Sequence, residues 1–134
     1  MFKKINLLAL VVVFALTSCL SNGNPAEVKV VTAEEMQDIL ELEDVQLVDV
    51  RTPDEFAAEH IENAQNIDFK SPTFEEDITK LDKDKPVVLY CKSGGRSAKC
   101  VKKLEEAGFK KIYDLKGGIS KWKYATDTKE QGAP

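Results

Sequence analysis

The residues best equipped for chemistry lie in Cys91-Lys92-Ser93-Gly94-Gly95-Arg96-Ser97, which follows the apolar run Pro86-Val87-Val88-Leu89-Tyr90. The pattern reads as a strand, a tight loop and the start of a helix over 97–107. Four residues separate Cys91 from Arg96 and two of them are glycines, so the backbone can curl until amide N–H groups converge on the Cys91 sulfur. Converging amides, the positive end of a helix dipole and the charges of Lys92 and Arg96 all favour a thiolate over a thiol. Cys91 is therefore the expected nucleophile. Arg96 is assigned to loop organisation and anion attraction, and Lys92 to a mobile cation at the loop. Ser93 and Ser97 carry hydroxyls that either hydrogen-bond sulfur held in the loop or cap the helix, capping being preferred for Ser97.

The elements that must position this loop follow from periodicity and punctuation. Strands are expected at 28–31, 46–50, 64–67, 87–90 and 111–115. Thr32 with Glu35 makes a capping-box pattern that starts a helix over 33–40, and Thr52-Pro53 starts another over 54–59. Ser71-Pro72 opens a helical stretch through Ile78, Gly108 ends the helix after the loop, and a short last helix is expected at 119–124, with Trp122 as its apolar plug. Strands alternating with helices predict an α/β domain with a largely parallel, five-stranded central sheet and helices on both faces. Such sheets bind ligands at the carboxyl ends of their strands, which is where Cys91 falls.

Asp49 and Arg51 lie at the end of the second strand. An internal ion pair is the expected role for Asp49, while Arg51 is also placed to attract an anion. His60, the single histidine, falls in a turn and is read as structural, because a cysteine already held as thiolate needs no general base. Cys100 occupies a core-facing helix position where a small apolar residue would serve equally well. The cysteines and the single histidine lack metal-ligand spacing, so neither metal nor cofactor is expected.

The chain of 134 residues, 43% hydrophobic and 31% charged, has the composition of one ordinary globular domain. Its start is different. Lys3 and Lys4, the apolar run 5–16 and Thr17-Ser18 before Cys19 read as a signal peptide over 1–18, too short for a comfortable membrane span. Leu16-Thr17-Ser18-Cys19 resembles the lipobox of bacterial lipoproteins, which implies cleavage before Cys19 and its lipidation. Residues 19–27 then form a flexible tether, 28–125 the domain and 126–134 a polar tail. Loss of the leader removes two lysines and no acid, moving the formal charge from −4 to −6. Such an acidic domain is a poor partner for nucleic acid, and attachment to a membrane would come from acyl chains. The expected location is extracytoplasmic, on the periplasmic side of the inner or outer membrane.

The loop Cys91-Lys92-Ser93-Gly94-Gly95-Arg96-Ser97 resembles the active-site loop of a single-domain rhodanese. Leu47-Val48-Asp49-Val50-Arg51, Glu55-Phe56 and His60-Ile61-Glu62-Asn63-Ala64 resemble that family's amino-terminal signature, and Leu115-Lys116-Gly117-Gly118-Ile119-Ser120-Lys121-Trp122 its carboxy-terminal one. Glu59 and Glu62 depart from it, standing where the family commonly has glycine. The resemblance implies a rhodanese-like fold and a sulfurtransferase that carries sulfane sulfur on Cys91 as a persulfide. A donor such as thiosulfate and an acceptor such as cyanide or a thiol are implied with it.

Two rivals remain at this stage. Phosphatases and arsenate reductases also run from cysteine to arginine, but with five intervening residues; the four found here shrink the cradle to sulfur size. A membrane-anchored persulfide carrier, taking sulfur from or passing it to a protein partner, would use the same residues.

Overall fold

The computed structural model describes residues 23–128. The leader, Cys19, the start of the tether and residues 129–134 lie outside them.

β1 (Glu27–Val31) leads into α1 (Ala33–Leu42) through the expected capping box. The Thr32 hydroxyl accepts the Glu35 N–H at 3.2 Å while the Glu35 carboxylate accepts the Thr32 N–H at 2.8 Å. After β2 (Gln46–Asp49) the device recurs with Thr52 and Glu55 at the start of α2 (Pro53–Ala58), where Pro53 occupies the first turn. β3 (Glu59–Ile61), β4 (Gln65–Asn66) and α3 (Phe74–Asp77), continued by a 3-10 turn at Ile78–Lys80, lead to β5 (Val87–Tyr90). The chain closes with α4 (Gly95–Glu106), β6 (Lys111–Leu115), a 3-10 turn at Gly118–Lys121 and β7 (Thr126–Thr128).

Five strands form one parallel sheet in the order β1-β6-β5-β2-β4, so β5, which feeds the cysteine loop, is central. Its alternating side chains fill two cores. Val87 and Leu89 join Val48, Val50, Ile112, Phe74, Ile78 and the α4 residues Cys100, Val101 and Leu104 on one face. Val88 and Tyr90 join Leu47, Tyr113, Leu115 and the α1 residues Ala33 and Met36 on the other. All four β5 residues are at most 1% exposed. Burying a side chain of this size contributes roughly 1.5–3 kcal/mol, which makes β5 the most firmly fixed platform available to a reactive loop.

Three expectations change. The helix expected at 97–107 starts at Gly95, because Gly94 takes the left-handed conformation (φ 111°) that turns the loop directly into the helix. The last helix shortens to the 3-10 turn at Gly118–Lys121, with the Trp122 indole N–H donating to the Ala125 carbonyl at 3.2 Å. The tail expected from Thr126 instead begins with β7, antiparallel to β3, so His60 lies in a strand and not in a turn. Glu59 accepts the Thr126 hydroxyl at 2.9 Å, and the β-branched Thr126 and Thr128 suit an extended backbone.

Candidate active site

Cys91 follows the carboxyl end of β5, and its residue is 1% exposed. The sulfur lies on the floor of the loop, where the Gly94 N–H donates to it at 3.0 Å. The Ser97 hydroxyl oxygen is 3.5 Å from it, within hydrogen-bonding reach. Ser97 therefore does not cap α4: the helix begins two residues earlier, and Ser97 sits in its first turn with its own hydroxyl donating to the Gly94 carbonyl at 3.3 Å. Burial alone would push the Cys91 thiol up, but hydrogen bonds from Ser97, through hydroxyl and backbone, and from the Gly94 and Ser93 N–H groups outweigh it and hold the thiol below its ordinary value. The three amides and the amino end of α4 thus stabilise negative charge on the sulfur.

The opposite side of the loop is clamped. The Ile119 N–H donates to the Cys91 carbonyl at 2.9 Å, and Ser120 donates to the Lys92 carbonyl through its N–H at 3.1 Å and its hydroxyl at 2.7 Å. With both carbonyls drawn outward, the N–H groups that follow face inward. Gly118 (φ 59°) makes this approach possible, since a Cβ there would collide with the carbonyls of Cys91 and Lys92.

The cations divide. Lys92 is exposed at the loop surface. The Arg96 guanidinium turns to Glu55 of α2, donating to its two carboxylate oxygens at 2.7 and 3.0 Å. The Arg51 side chain is buried with Asp49, donating to both carboxylate oxygens at 2.7–3.0 Å, and its second terminal nitrogen also reaches the Glu59 carbonyl at 2.6 Å. A groove of about 380 Å³ beside the loop is lined by Arg51, Glu55, Ala58, Glu59, Lys92 and Ser120. His60 is stacked on Phe56, with Nδ1 2.8 Å from the Phe56 carbonyl and Nε2 3.5 Å from Asp127. Among the described residues, no group of three His, Cys, Asp or Glu is placed to hold a metal ion.

An activated thiol at the tip of a central parallel strand, in a cradle of amides, fits what the comparisons find: residues 32–125 match the rhodanese-like domain. The chain belongs to the rhodanese-like family. It is 37% identical over 89 residues to the thiosulfate sulfurtransferase GlpE of Coxiella burnetii, covering 66% of this chain and 81% of that protein. It is 42% identical over 77 residues to the uncharacterised protein YqhL of Bacillus subtilis, covering 58% of this chain and 60% of that one. Among solved structures, a rhodanese-like domain protein from Staphylococcus aureus superposes with a TM-score of 0.64 at 34% identity, over 71% of this chain and 91% of that one.

Three features of this rhodanese-like domain escaped sequence reasoning. Glu55 was visible only as part of the amino-terminal signature, and its pairing with Arg96 spans 41 positions. The clamp by Ile119 and Ser120 was signalled only by the preceding glycine pair. Asp114, a lone acid inside the strand Lys111–Leu115, was the third, and its polarity in a buried strand was the available sign.

Proposed function

We propose that this rhodanese-like domain is a sulfurtransferase that moves sulfane sulfur from an anionic donor such as thiosulfate to a thiophilic acceptor, cyanide or a thiol, through a persulfide on Cys91. The observation that carries the reading is the amide cradle on the sulfur, with the Gly94 N–H at 3.0 Å. The Cys91 thiolate attacks the outer sulfur of thiosulfate; a sulfur–sulfur bond forms as the donor's breaks, and sulfite leaves with the electron pair. The terminal sulfur of the persulfide carries the negative charge and inherits the loop N–H groups as donors. Attack on that sulfur by the acceptor returns Cys91 as thiolate, so kinetics should be ping-pong. Lys92, exposed at the loop surface, is placed to meet an incoming anion, while Arg96 and Arg51, paired with Glu55 and Asp49, hold the loop and the wall of the groove. Ser93, Gly94, Gly95 and Ser97 bind through the loop backbone and hydroxyls.

The test is sulfite release from thiosulfate together with intact mass. A gain of one sulfur on Cys91 is expected, and its absence, or faster hydrolysis of an aryl phosphate, would overturn the assignment. Slow thiosulfate turnover combined with ready acceptance of persulfide from a protein would move the domain to the carrier reading.

Attachment to a membrane belongs to the same proposal and rests on Leu16-Thr17-Ser18-Cys19. It places the domain outside the cytoplasm on acyl chains carried by Cys19. Acyl labelling of cells should reach the unmutated chain and be lost in Cys19→Ala; labelling that survives the substitution would remove the anchor.

A further inference from the structure

The cations at the reactive end of the sheet fall into two sets. Both arginines are held by carboxylates, Arg51 by Asp49 and Arg96 by Glu55. Lys92, Lys116 and Lys121 are exposed and form no ion pair among the described residues. Lys92 follows Cys91 on the loop, Lys116 directly follows β6, and Lys121 closes the 3-10 turn that grips the loop. In a chain of net charge −4, these unneutralised cations make a local field that favours anions.

Lys116 and Lys121 share a hollow of about 480 Å³, lined by the start of α1, Thr32 to Glu34, and by Lys116, Gly117, Lys121 and Lys123. Glu34, the acid of this hollow, is taken up by Lys123 at 2.6 Å. The Lys121 stem lies against Gly117, where a Cβ would collide with it, so its path beside the hollow is fixed. The amino end of α1 adds the positive end of a helix dipole. The carboxylates beside the loop come from elsewhere: Asp49 from β2, Glu55 from α2 and Glu59 from β3. β2 and β6 flank β5 on opposite sides, so the hollow at the end of β6 lies across β5 from Asp49.

The hollow and the sulfur are neighbours without being one pocket. None of the residues 91–97 lines the hollow. The turn at Gly118–Lys121 joins them, contributing Lys121 to the hollow and donating the Ile119 N–H to the Cys91 carbonyl at 2.9 Å. A small anion seated between the lysines does not touch the sulfur. A ligand that uses both must be a chain, advancing about 3.3 Å per residue when extended, with a thiol at the loop and carboxylates over the hollow.

We propose that Lys116 and Lys121, with Lys92 on the loop, form a docking surface for an acidic segment of a protein sulfur acceptor. The segment's cysteine thiolate attacks the terminal sulfur of the Cys91 persulfide. A sulfur–sulfur bond forms on the acceptor as the one to Cys91 breaks, and Cys91 leaves as thiolate with the electron pair. One sulfur atom changes hands, the acceptor becomes a persulfide, and no outside oxidant or reductant is consumed. The inference rests on Cys91 as the sulfur carrier of the proposed reaction.

The experiment loads the full chain with sulfur from thiosulfate, removes the donor and measures persulfide formed on a synthetic acceptor peptide by mass spectrometry. The peptide carries one cysteine, with glutamates a few residues away on both sides so that the thiol itself is little affected. Versions with glutamine or lysine in place of glutamate serve as comparison, and 2-mercaptoethanol as a small neutral acceptor. The glutamate peptide should react on the order of tenfold faster than the glutamine peptide at low salt. That preference should vanish at about 1 M salt, where charges are screened beyond about 3 Å. Lys116→Glu should abolish the preference and raise the rate of the lysine peptide, while transfer to 2-mercaptoethanol stays unchanged; a merely structural Lys116 would not exchange one peptide for the other. Equal rates for the glutamate and glutamine peptides, or a preference that survives either high salt or folded Lys116→Glu, overturn the docking surface and leave the sulfurtransferase reading standing. Failure of the unmutated chain to pass sulfur even to 2-mercaptoethanol overturns both.

Discussion

Cys91 and Cys100 belong to one apolar cluster and are each 1% exposed, so burial does not distinguish them. Hydrogen bonding does. The amides of the loop bring the Cys91 thiol below its ordinary value, whereas Cys100, inside α4, is pushed up to about 12 by burial and by the nearby carboxylate of Asp114. Cys91→Ser should therefore abolish sulfite release while a thermal melt remains cooperative. Cys100→Ala should keep turnover within about twofold and cost about 1 kcal/mol for the lost core volume. Activity surviving the first change, or lost in a folded protein with the second, would exchange the two roles. The charged residues were legible by type and place but not by direction. Arg51 and Asp49 are two positions apart, so their pairing is local and was foreseen; which way Arg96 points depends on Glu55, 41 residues upstream, and no local pattern encodes it.

At the scale of elements, the sequence made visible what short-range chemistry determines. The capping box at Thr32, the Thr52-Pro53 pair and the apolar run before Cys91 placed α1, α2 and β5 to within a residue or two. It left hidden what depends on distant partners: the pairing of β7 with β3, and the clamp of the turn at Gly118–Lys121 on the cysteine loop. That clamp makes Gly118→Ala a sharp test. A methyl group there must displace the Cys91 and Lys92 carbonyls, and a shift of about 1 Å at the reacting sulfur costs on the order of a hundredfold in rate. Such a loss in kcat/KM with far-ultraviolet circular dichroism unchanged is the expected result; full activity would show that the cradle does not depend on the clamp. The bond between α2 and α4 carries a pH signature. The Arg96 guanidinium, with Thr52, holds the Glu55 carboxyl at about 2, below its ordinary 4.5. A folded-state value below the unfolded one gives stability present above pH 4.5 and lost as pH falls through 2. Glu55→Gln should therefore destabilise at pH 7 and make little difference near pH 2, which melts at the two pH values would show. Because the pair is partly solvent-exposed, its contribution should shrink in high salt.

Over the whole molecule, stability is graded across the sheet. β5 is paired on both sides and covered on both faces, whereas β1 pairs only with β6 and leaves Val30 64% exposed. Amide exchange should accordingly be slowest at Val88 and Leu89 and faster at Val28 and Val30, measured by proton–deuterium exchange; comparable rates would mean that the sheet opens as one unit. Cys91 thus follows the strand expected to loosen last, and β1 is the strand expected to loosen first. All strands of the main sheet run in one direction, so the entry at Glu27 lies at its amino end and Cys91 beyond its carboxyl end. At about 3.3 Å per residue these points are separated by roughly 15 Å along the strand axis. A bilayer holding the chain by acyl groups upstream of Glu27 would face the base of the sheet, with the cysteine loop pointing outward to molecules arriving from the aqueous side.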